Sequence, residues 1–556
     1  MYKFNINSLE LKNMDDSIKI IPKRINVIVG PNNSGKSRLL KELRDKLAGM
    51  SGSNRIISNI DISYPESSDR FYDSYQVEQK ICRRSNGEWY LNVFNSKSNQ
   101  TSLFLRDINE YTTRNRIFFT GDDRQQVASW INNRDWSSFL QVFSPLFYQF
   151  LGTEEKLLLC NTQSNYGLDS NSINYLSIFK YNDRVLSLLA DKVKAFFNRD
   201  IFLDYLSQGD QICFRVGDNF DYITQIEVDR LNQIMVNRLS RENRLEEQGD
   251  GLRSFVSTFL SLYTETSDML LIDEPENFLH PPLQRRIGEE IALASNSKEK
   301  TVFLATHSVE VLKGILSKSN DVNVIRITQP KPGENSITLL KNEDLEKVIK
   351  DPLLRVSRVL EGIFCDRVIV TEGEADELIY QELIEKMFPE SGLSFAHAQN
   401  KQTIPKIIEF YHTIGVKYEA IVDFDVIREL RGLRKLLINT EMIEDEVESL
   451  LSRLNLIKQN LLIEDEIKAY HQRGISSFKE EDQKKIRDIF KECSKNHIHI
   501  LETGELETIL ENFDVHYKEK KKWIIDALEK VADDSFTFSS QDDLYKFIEK
   551  IVDREL

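Results

Sequence analysis

The sequence predicts an α/β chain of two successive parallel-sheet units, and three observations predict it. First, the β-branched run Ile25-Asn26-Val27-Ile28-Val29 leads into a glycine-rich turn, and a helical pattern follows directly. Second, from Gly249 onward helix and strand alternate, with apolar strands at Met269-Leu270-Leu271-Ile272 and Thr301-Val302-Phe303-Leu304-Ala305. Third, a new unit of the same rhythm opens at Val368-Ile369-Val370-Thr371 and reaches an acidic strand end at Ile421-Val422-Asp423.

Taken in order, the chain opens with a strand over Phe4 to Leu11. The helix after the glycine-rich turn carries Leu39, Leu40, Leu43 and Leu47 on one face. Residues 50–165 read as an irregular α+β lobe rich in Asn, Ser, Tyr and Phe. Helical spacing over 171–198 (Ile173, Leu176, Ile178, Phe179, Leu186, Leu189, Val193, Phe197) suits either core packing or a dimerisation pair. A short β-meander is expected over Ile212 to Val228, and TQPKPGEN, from Thr328 to Asn335, reads as a turn or linker. Residues 440–490 read as a charged, solvated helical insert, and the α/β rhythm returns at Ile498-His499-Ile500-Leu501. The expected domains are 1–345, with a lobe inserted over residues 50–245, and 346–556, interrupted over 440–495.

The 556 residues suggest roughly three or four domains. Lys+Arg number 73 and Asp+Glu 89, a net charge of −16, which excludes a protein that coats nucleic acid with a uniformly basic surface. No run is apolar enough to span a bilayer, so no membrane partner is expected. The opening MYKFNINSLELKNMDDS lacks the apolar core of a secretory leader. Five dispersed cysteines without a CxxC support neither a disulfide framework nor a zinc knuckle, so a cytoplasmic location is expected.

Gly30-Pro31-Asn32-Asn33-Ser34-Gly35-Lys36-Ser37 matches GxxxxGK[ST] in full, between a strand and a helix. Gly30, Asn32, Asn33, Ser34 and Gly35 supply a backbone cradle for phosphate at a helix N-terminus. Lys36 can reach β/γ-phosphates, and the Ser37 hydroxyl can ligate the Mg²⁺ that accompanies ATP. The strand at Met269 ends in Asp273-Glu274. Asp273 suits the Mg²⁺ shell, and Glu274 is placed to orient or deprotonate water.

Two further pieces resemble the ABC-type ATPases, in the branch that includes DNA-repair ATPases. Gly249-Asp250-Gly251-Leu252-Arg253-Ser254 is similar to their signature loop, although Gln248 stands where a serine is usual. That resemblance implies that Gly249, Gly251 and Ser254 contact a nucleotide held by a second subunit, in a homodimer or tetramer joined through the ATPase domains. His307 resembles the switch histidine, and Glu276-Asn277-Phe278-Leu279-His280-Pro281 the segment that touches the partner. Gln76 and Gln79 are both open as the glutamine of the glutamine loop. The interval from Lys36 to Asp273 shows no heptads, unlike the long coiled-coil relatives.

In the second half, Thr371-Glu372-Gly373-Glu374-Ala375-Asp376 follows a strand, and Asp423-Phe424-Asp425 ends another. Strand alternation puts Asp423 and Asp425 on one side, with Glu372 on the neighbouring strand and Asp376 one helical turn on. Such carboxylates repel unless divalent ions bridge them. The Glu-Gly and DxD pair resembles the Toprim domain of topoisomerases, primases and some nucleases.

An ABC-type ATPase followed by Toprim resembles the OLD (overcoming lysogenisation defect) family of ATP-dependent endonucleases, including Gabija-type and retron-associated members. The resemblance implies two Mg²⁺ or Mn²⁺ ions held by Glu372, Asp376, Asp423 and Asp425, with Glu507 of the later acidic motif as a further ligand. Catalysis would then rest on Glu274 and His307 in one half, and on Glu372, Asp423 and Asp425 in the other. A family lysine has four candidates, Lys518, Lys520, Lys521 and Lys522. His497 and His499 read as structural.

The expected function is an ATP-regulated, Mg²⁺-dependent endonuclease acting on DNA, in an anti-phage setting. The alternatives are RNA such as tRNA as substrate, or a sensor whose Toprim domain awaits a partner. That partner would be a helicase, a reverse transcriptase with its nucleic acid, or a phage trigger.

Overall fold

The INVIV run forms the strand Ile25–Val29 with all five residues buried, as a run without polar alternation requires when both sheet faces are covered. The computed structural model describes residues 2–552 apart from 15, 51, 53, 78–80, 84–88, 93–115, 120, 166–174, 208, 221–232, 265–266, 332, 352–357, 464, 512–514, 516–519, 534–538 and 540–541. The chain divides into two units: Met1–Val29 with Asn33–Asn342, and Glu343–Leu556 with Gly30–Asn32.

In the first unit a six-stranded sheet runs in the order Glu334–Leu340, Val322–Lys331, Ile25–Val29, Thr301–Ala305, Met269–Asp273, Tyr148–Leu151. Only the first pair is antiparallel. Asp273 pairs with Ala305, and Ala305 with Ile28. This register brings the carboxyl ends of the three central strands to one edge, where a parallel α/β sheet binds ligands. The helix Lys36–Leu47 packs its leucine face inward, with Leu39, Leu40, Leu43 and Leu47 all 0% exposed. Each such burial contributes about 1.5–3 kcal/mol relative to exposure. The same core takes in Phe71, Phe139, Phe143 and Phe147 from the following lobe.

The expected helix over 171–198 is interrupted. A 3₁₀ turn, Leu176–Tyr181, precedes the helix Asp183–Phe197, and the Asn182 side chain caps that helix by accepting from the Val185 N–H. Residues 171–174 lie outside the described residues. Val185, Leu189 and Val193 are buried, and Phe196 and Phe197 meet Phe255 at 5.5 and 5.4 Å between ring centroids. The apolar stripe is thus used in core packing. Of the meander expected over 212–228, the strand Gln211–Gly217 is present; its partner Asp200–Asp204 lies upstream of that range, and residues 221–228 lie outside the described residues. The stretch TQPKPGEN contains the ends of two strands paired as a hairpin, Val322–Lys331 with Glu334–Leu340, and Pro332 lies outside the described residues. The register shifts between Thr328 and Lys331, around Pro330, which has no N–H to give the ladder.

The second unit is built on four parallel strands in the order Ser394–His397, Arg367–Thr371, Lys417–Val422, Ile498–Ile500. In chain order this is 2-1-3-4, so the winding reverses between Arg367–Thr371 and Lys417–Val422. The charged stretch after 440 forms helices Glu444–Lys458 and Glu480–Lys495. They bury Leu450, Leu454, Ile486 and Phe490 and turn most of their charges outward, with Arg453 paired to Glu492; Asp482 is buried and bonded by Asn460 and Lys485. Helices Lys520–Ala532 and Asp543–Val552 close a core around Trp523, Ile548 and Ile551. Among the described residues no helix is long and apolar enough to cross a membrane.

Candidate functional site

Two sheet edges gather the chemistry. At the first, the turn after Ile25–Val29 needs three left-handed backbones: Gly30 at φ 145°, Asn33 at 59° and Gly35 at 98°. Such turns aim successive N–H groups inward, which suits an anion. Ser34 is 3% exposed and its hydroxyl has no hydrogen-bond partner. An orphaned buried donor in this cradle fits a phosphate group. Lys36 is also buried. Ser37 Oγ donates to Asp273 Oδ1 at 2.8 Å, so the hydroxyl and the carboxylate predicted to share Mg²⁺ already meet. Burial pushes the Asp273 carboxyl up, against the Ser37 bond.

Glu274 takes a left-handed φ of 51°, a strained choice for a residue other than glycine. Its N–H donates to Ala305 O at 2.8 Å, and Asn277 Nδ2 donates to its Oε2 at 2.7 Å. His307 Nε2 lies 3.7 Å from Glu274 Oε1. Burial, then the Lys36 charge, lowers the His307 pKa. Glu276 accepts from the Thr306 hydroxyl at 2.8 Å and from the His307 N–H, which orients the histidine loop.

Sequence reasoning missed Lys156. It is 0% exposed, and its Nζ donates to Asp273 O at 2.8 Å and to Glu274 O. Burial lowers its pKa to about 8. The strand Tyr148–Leu151 neighbours the acidic strand, so the segment reaching this edge is Gly152–Lys156. Asn277 Nδ2 touches Thr153 Oγ1 there at 3.1 Å. Its local sequence, Gly152-Thr153-Glu154-Glu155-Lys156, matches no phosphate-binding or catalytic motif, and only the strand order reveals its place. Gln79 lies outside the described residues, as does the side chain of Gln76.

The signature-like segment divides. Gly249 is exposed at the N-terminus of the helix Asp250–Tyr263. A Cβ on Gly251 would come within 2.7 Å of Phe278 O, so that glycine serves a close approach to the Glu276–Pro281 segment. Ser254 is 1% exposed, one turn into the helix. The expectation that Ser254 contacts a partner's nucleotide is therefore corrected: it faces the core.

At the second edge, Glu372 leaves Arg367–Thr371 and Asp423 leaves Lys417–Val422, the two strands between which the winding reverses. Asp425 is not in a strand. It lies in the 3₁₀ turn Phe424–Ile427, so a turn, not strand alternation, brings it beside Asp423. Carboxylate oxygens of Glu372, Asp423 and Asp425 lie within 4.8 Å of one another, and the Asp423 N–H donates to Glu372 Oε1 at 3.0 Å. Burial raises the Glu372 carboxyl to about 7, with Lys401 opposing it. Burial, then the Glu372 charge, pushes Asp423 well above the ordinary range. Lys401 Nζ contacts Asp425 and lies 3.5 Å from Glu372. Hard oxygen donors, crowded and drawing in an ammonium, fit a divalent cation.

Asp376 Oδ2 accepts from the Gly373 N–H at 3.0 Å, as a helix cap. It lies outside this trio, though its charge raises both Glu372 and Asp423. Among the described residues a second trio comprises Asp425, His471 and Glu505. The expected ligand Glu507 belongs to neither, and Glu505 of the same motif takes the place facing Asp425. Glu507 is near enough that its charge, with those of Asp423, Asp376 and Glu372, adds to burial in raising the Tyr380 hydroxyl. His497 and His499 both bond Glu419, at 3.0 and 2.6 Å. Burial opposes them, but these bonds hold the Glu419 carboxyl down to about 2, which is a structural role. Of the four lysines, Lys522 is exposed, while Lys518 and the side chains of Lys520 and Lys521 lie outside the described residues.

The family model described as "AAA domain, putative AbiEii toxin, Type IV TA system" matches residues 25–313. The model described as "Overcoming lysogenization defect protein-like, TOPRIM domain" matches residues 363–425. The Old nuclease of Escherichia phage P2 is 22% identical over 265 residues, 44% of this chain and 44% of that protein. Endonuclease GajA of Bacillus cereus (strain HuB5-5) is 26% identical over 155 residues, 23% of this chain and 22% of that protein. The chain thus matches less than half the length of either relative. A solved SMC head domain from Thermotoga maritima aligns with a TM-score of 0.28 and 13% identity, over 61% of this chain and 99% of that one. With the first model spanning more than half of its length and the second ending at the acidic edge, the chain belongs to that AAA-domain family and is of the OLD type, an ATPase followed by Toprim.

Proposed function

We propose that the chain is an ATP-regulated, divalent-metal-dependent nuclease that cuts or nicks DNA. The observation that carries this reading is the convergence of Glu372, Asp423 and Asp425 at the reversal point of the second sheet. When bound, paired Mg²⁺ or Mn²⁺ ions supply a polarised scissile phosphate and an activated water. Glu372, Asp423 and Asp425 would contribute carboxylate ligands to them, while Asp376 anchors the helix start behind Glu372. Cleavage of nucleic acid draws support from the names of the Old nuclease and Endonuclease GajA, and DNA is the substrate we propose. A defence or toxin role draws support from the wording of the AAA family description. The cytoplasm is the proposed place of action.

In the ATPase half, the Gly30–Ser37 backbone and Lys36 bind the phosphates, and Ser37 with Asp273 holds the nucleotide's own Mg²⁺. Glu274 takes the proton of an attacking water, and His307, 3.7 Å away, orients it. Gly249, exposed at a helix N-terminus, supports closure by a second copy, hence a homodimer or tetramer.

Plasmid nicking by the purified chain, with Mg²⁺ or Mn²⁺ and with or without ATP, tests the reading. Asp423→Ala should lower cleavage by roughly a hundredfold or more and leave ATP binding intact. Equal loss of both refutes the division of labour. Lys401 favours a second reading, because it neutralises the cluster from within the chain. The nuclease would then stay off until a partner such as a helicase, a reverse transcriptase with its nucleic acid, or a phage component displaces that lysine. Absence of DNA cleavage under every nucleotide condition, with cleavage of RNA or cleavage on adding the partner, would favour it.

A further inference from the structure

The helical insert brings one side chain to the acidic edge that the proposed mechanism does not use. His471 lies in the π-helical turn Lys468–Arg473, a geometry that recurs at functional sites. Its Nδ1 is 3.7 Å from Asp425 Oδ2 and bonds Glu505 Oε1 directly. The ligand atoms of Asp425, His471 and Glu505 lie within 4.8 Å of one another, and Asp425 belongs to the first trio as well.

Backbone packing fixes this placement. The Glu505 N–H donates to His471 O at 3.0 Å, and Thr508 Oγ1 donates to the same oxygen at 3.2 Å. Gly504, at φ +105°, passes so close that a Cβ would sit 2.4 Å from His471 O. A Cβ on Gly474 would sit 2.1 Å from Glu502 O. Two glycines therefore let the π-turn and the acidic loop meet backbone to backbone, with the imidazole facing Asp425.

We propose that His471, Asp425 and Glu505 form a second cation site that shares Asp425 with the first, and that the imidazole makes it prefer a first-row ion such as Mn²⁺ over Mg²⁺. Mg²⁺ takes oxygen ligands and keeps its waters, whereas imidazole nitrogen suits first-row transition ions. Two carboxylates alone would accept either ion, and the nitrogen donor supplies the discrimination. The inference rests on the acidic edge being a metal centre.

The full chain, free of nucleotide, is titrated with Mn²⁺ and read by the electron paramagnetic resonance of the free ion, with Mg²⁺ as competitor. Wild type should bind two ions at this edge. His471→Gln keeps a hydrogen-bond donor for Glu505 but offers no ring nitrogen. It should weaken one ion by about tenfold or more and let Mg²⁺ compete more evenly. Glu505→Gln should weaken the same ion and serves if His471→Gln fails to fold, with ATP binding as the folding check. Wild-type stoichiometry and affinity in both variants overturn the proposal. So does a single wild-type ion that Asp423→Ala removes, which leaves the nuclease reading standing. If Asp423→Ala disturbs no Mn²⁺, the first site fails instead, and the His471→Gln titration still decides this one.

Discussion

Both units end parallel strands in carboxylates, yet they handle the charge differently. At the first edge Asp273 meets the Ser37 hydroxyl, Glu274 is bonded by Asn277, and Lys156 grips the carbonyls of both. The edge is organised by its own chain, with the orphaned Ser34 hydroxyl left for phosphate. At the second edge the acids face each other, and Glu372 and Asp423 are pushed up by burial and mutual repulsion. Lys401 offsets only part of that. The lesson is that similar strand ends can be built for different guests. One awaits an anion that brings its own cation, and the other awaits cations.

The largest expected effect that would break this contrast comes from Glu274→Gln. Loss of a positioned base should slow ATP hydrolysis by about 10²–10⁴-fold, with ATP affinity and Mn²⁺ binding at the second edge unchanged, as steady-state phosphate release and nucleotide titration would show. An unchanged hydrolysis rate would remove Glu274 from the chemistry. Next in size is Lys156→Met, which leaves the Asp273 and Glu274 carbonyls without their donor. Stability should fall by about 1–3 kcal/mol, with slowed hydrolysis that Glu274→Gln already masks in the double variant. Additive losses in hydrolysis would show that Lys156 acts apart from Glu274.

The smallest effect is a pH dependence of the second edge. Glu372 titrates near 7 in the folded chain against an ordinary 4.5. The folded state therefore holds the proton more tightly, so metal-free stability falls as pH rises through that window. Calorimetry in a chelator, comparing wild type with Glu372→Gln, should show the variant gaining a few degrees between about pH 5 and 8, at about 2–4 °C per kcal/mol. Mn²⁺ should stabilise wild type more at the upper end. A constant difference across the range would mean that the cluster carries no charge conflict.

Much of this was legible in the sequence where the chemistry is contiguous. Gly30–Ser37 needs eight adjacent residues between a strand and a helix, and a run of apolar residues ending in Asp273-Glu274 announces the strand end beside it. Glu372 and Asp423 were readable for the same reason, each directly following a buried strand. Where a side chain's role depends on a distant neighbour, local pattern failed. Strand alternation explained Asp425 wrongly, because Phe424–Ile427 is a turn. The later acidic motif pointed to Glu507, while the loop presents Glu505 to Asp425. Ser254 looked available in the signature-like segment, but helix phase buries it.

The sequence by itself determined the phosphate cradle, the two acidic strand ends and the order of the two units, since each is encoded within a dozen residues by periodicity and turn chemistry. Only the tertiary structure decided that Lys156, Lys401 and His471 belong to the sites. Each is a lone residue brought in by strand order or by a glycine-enabled backbone contact, and buried carboxylates acquire their energetics from whichever charges the fold sets beside them.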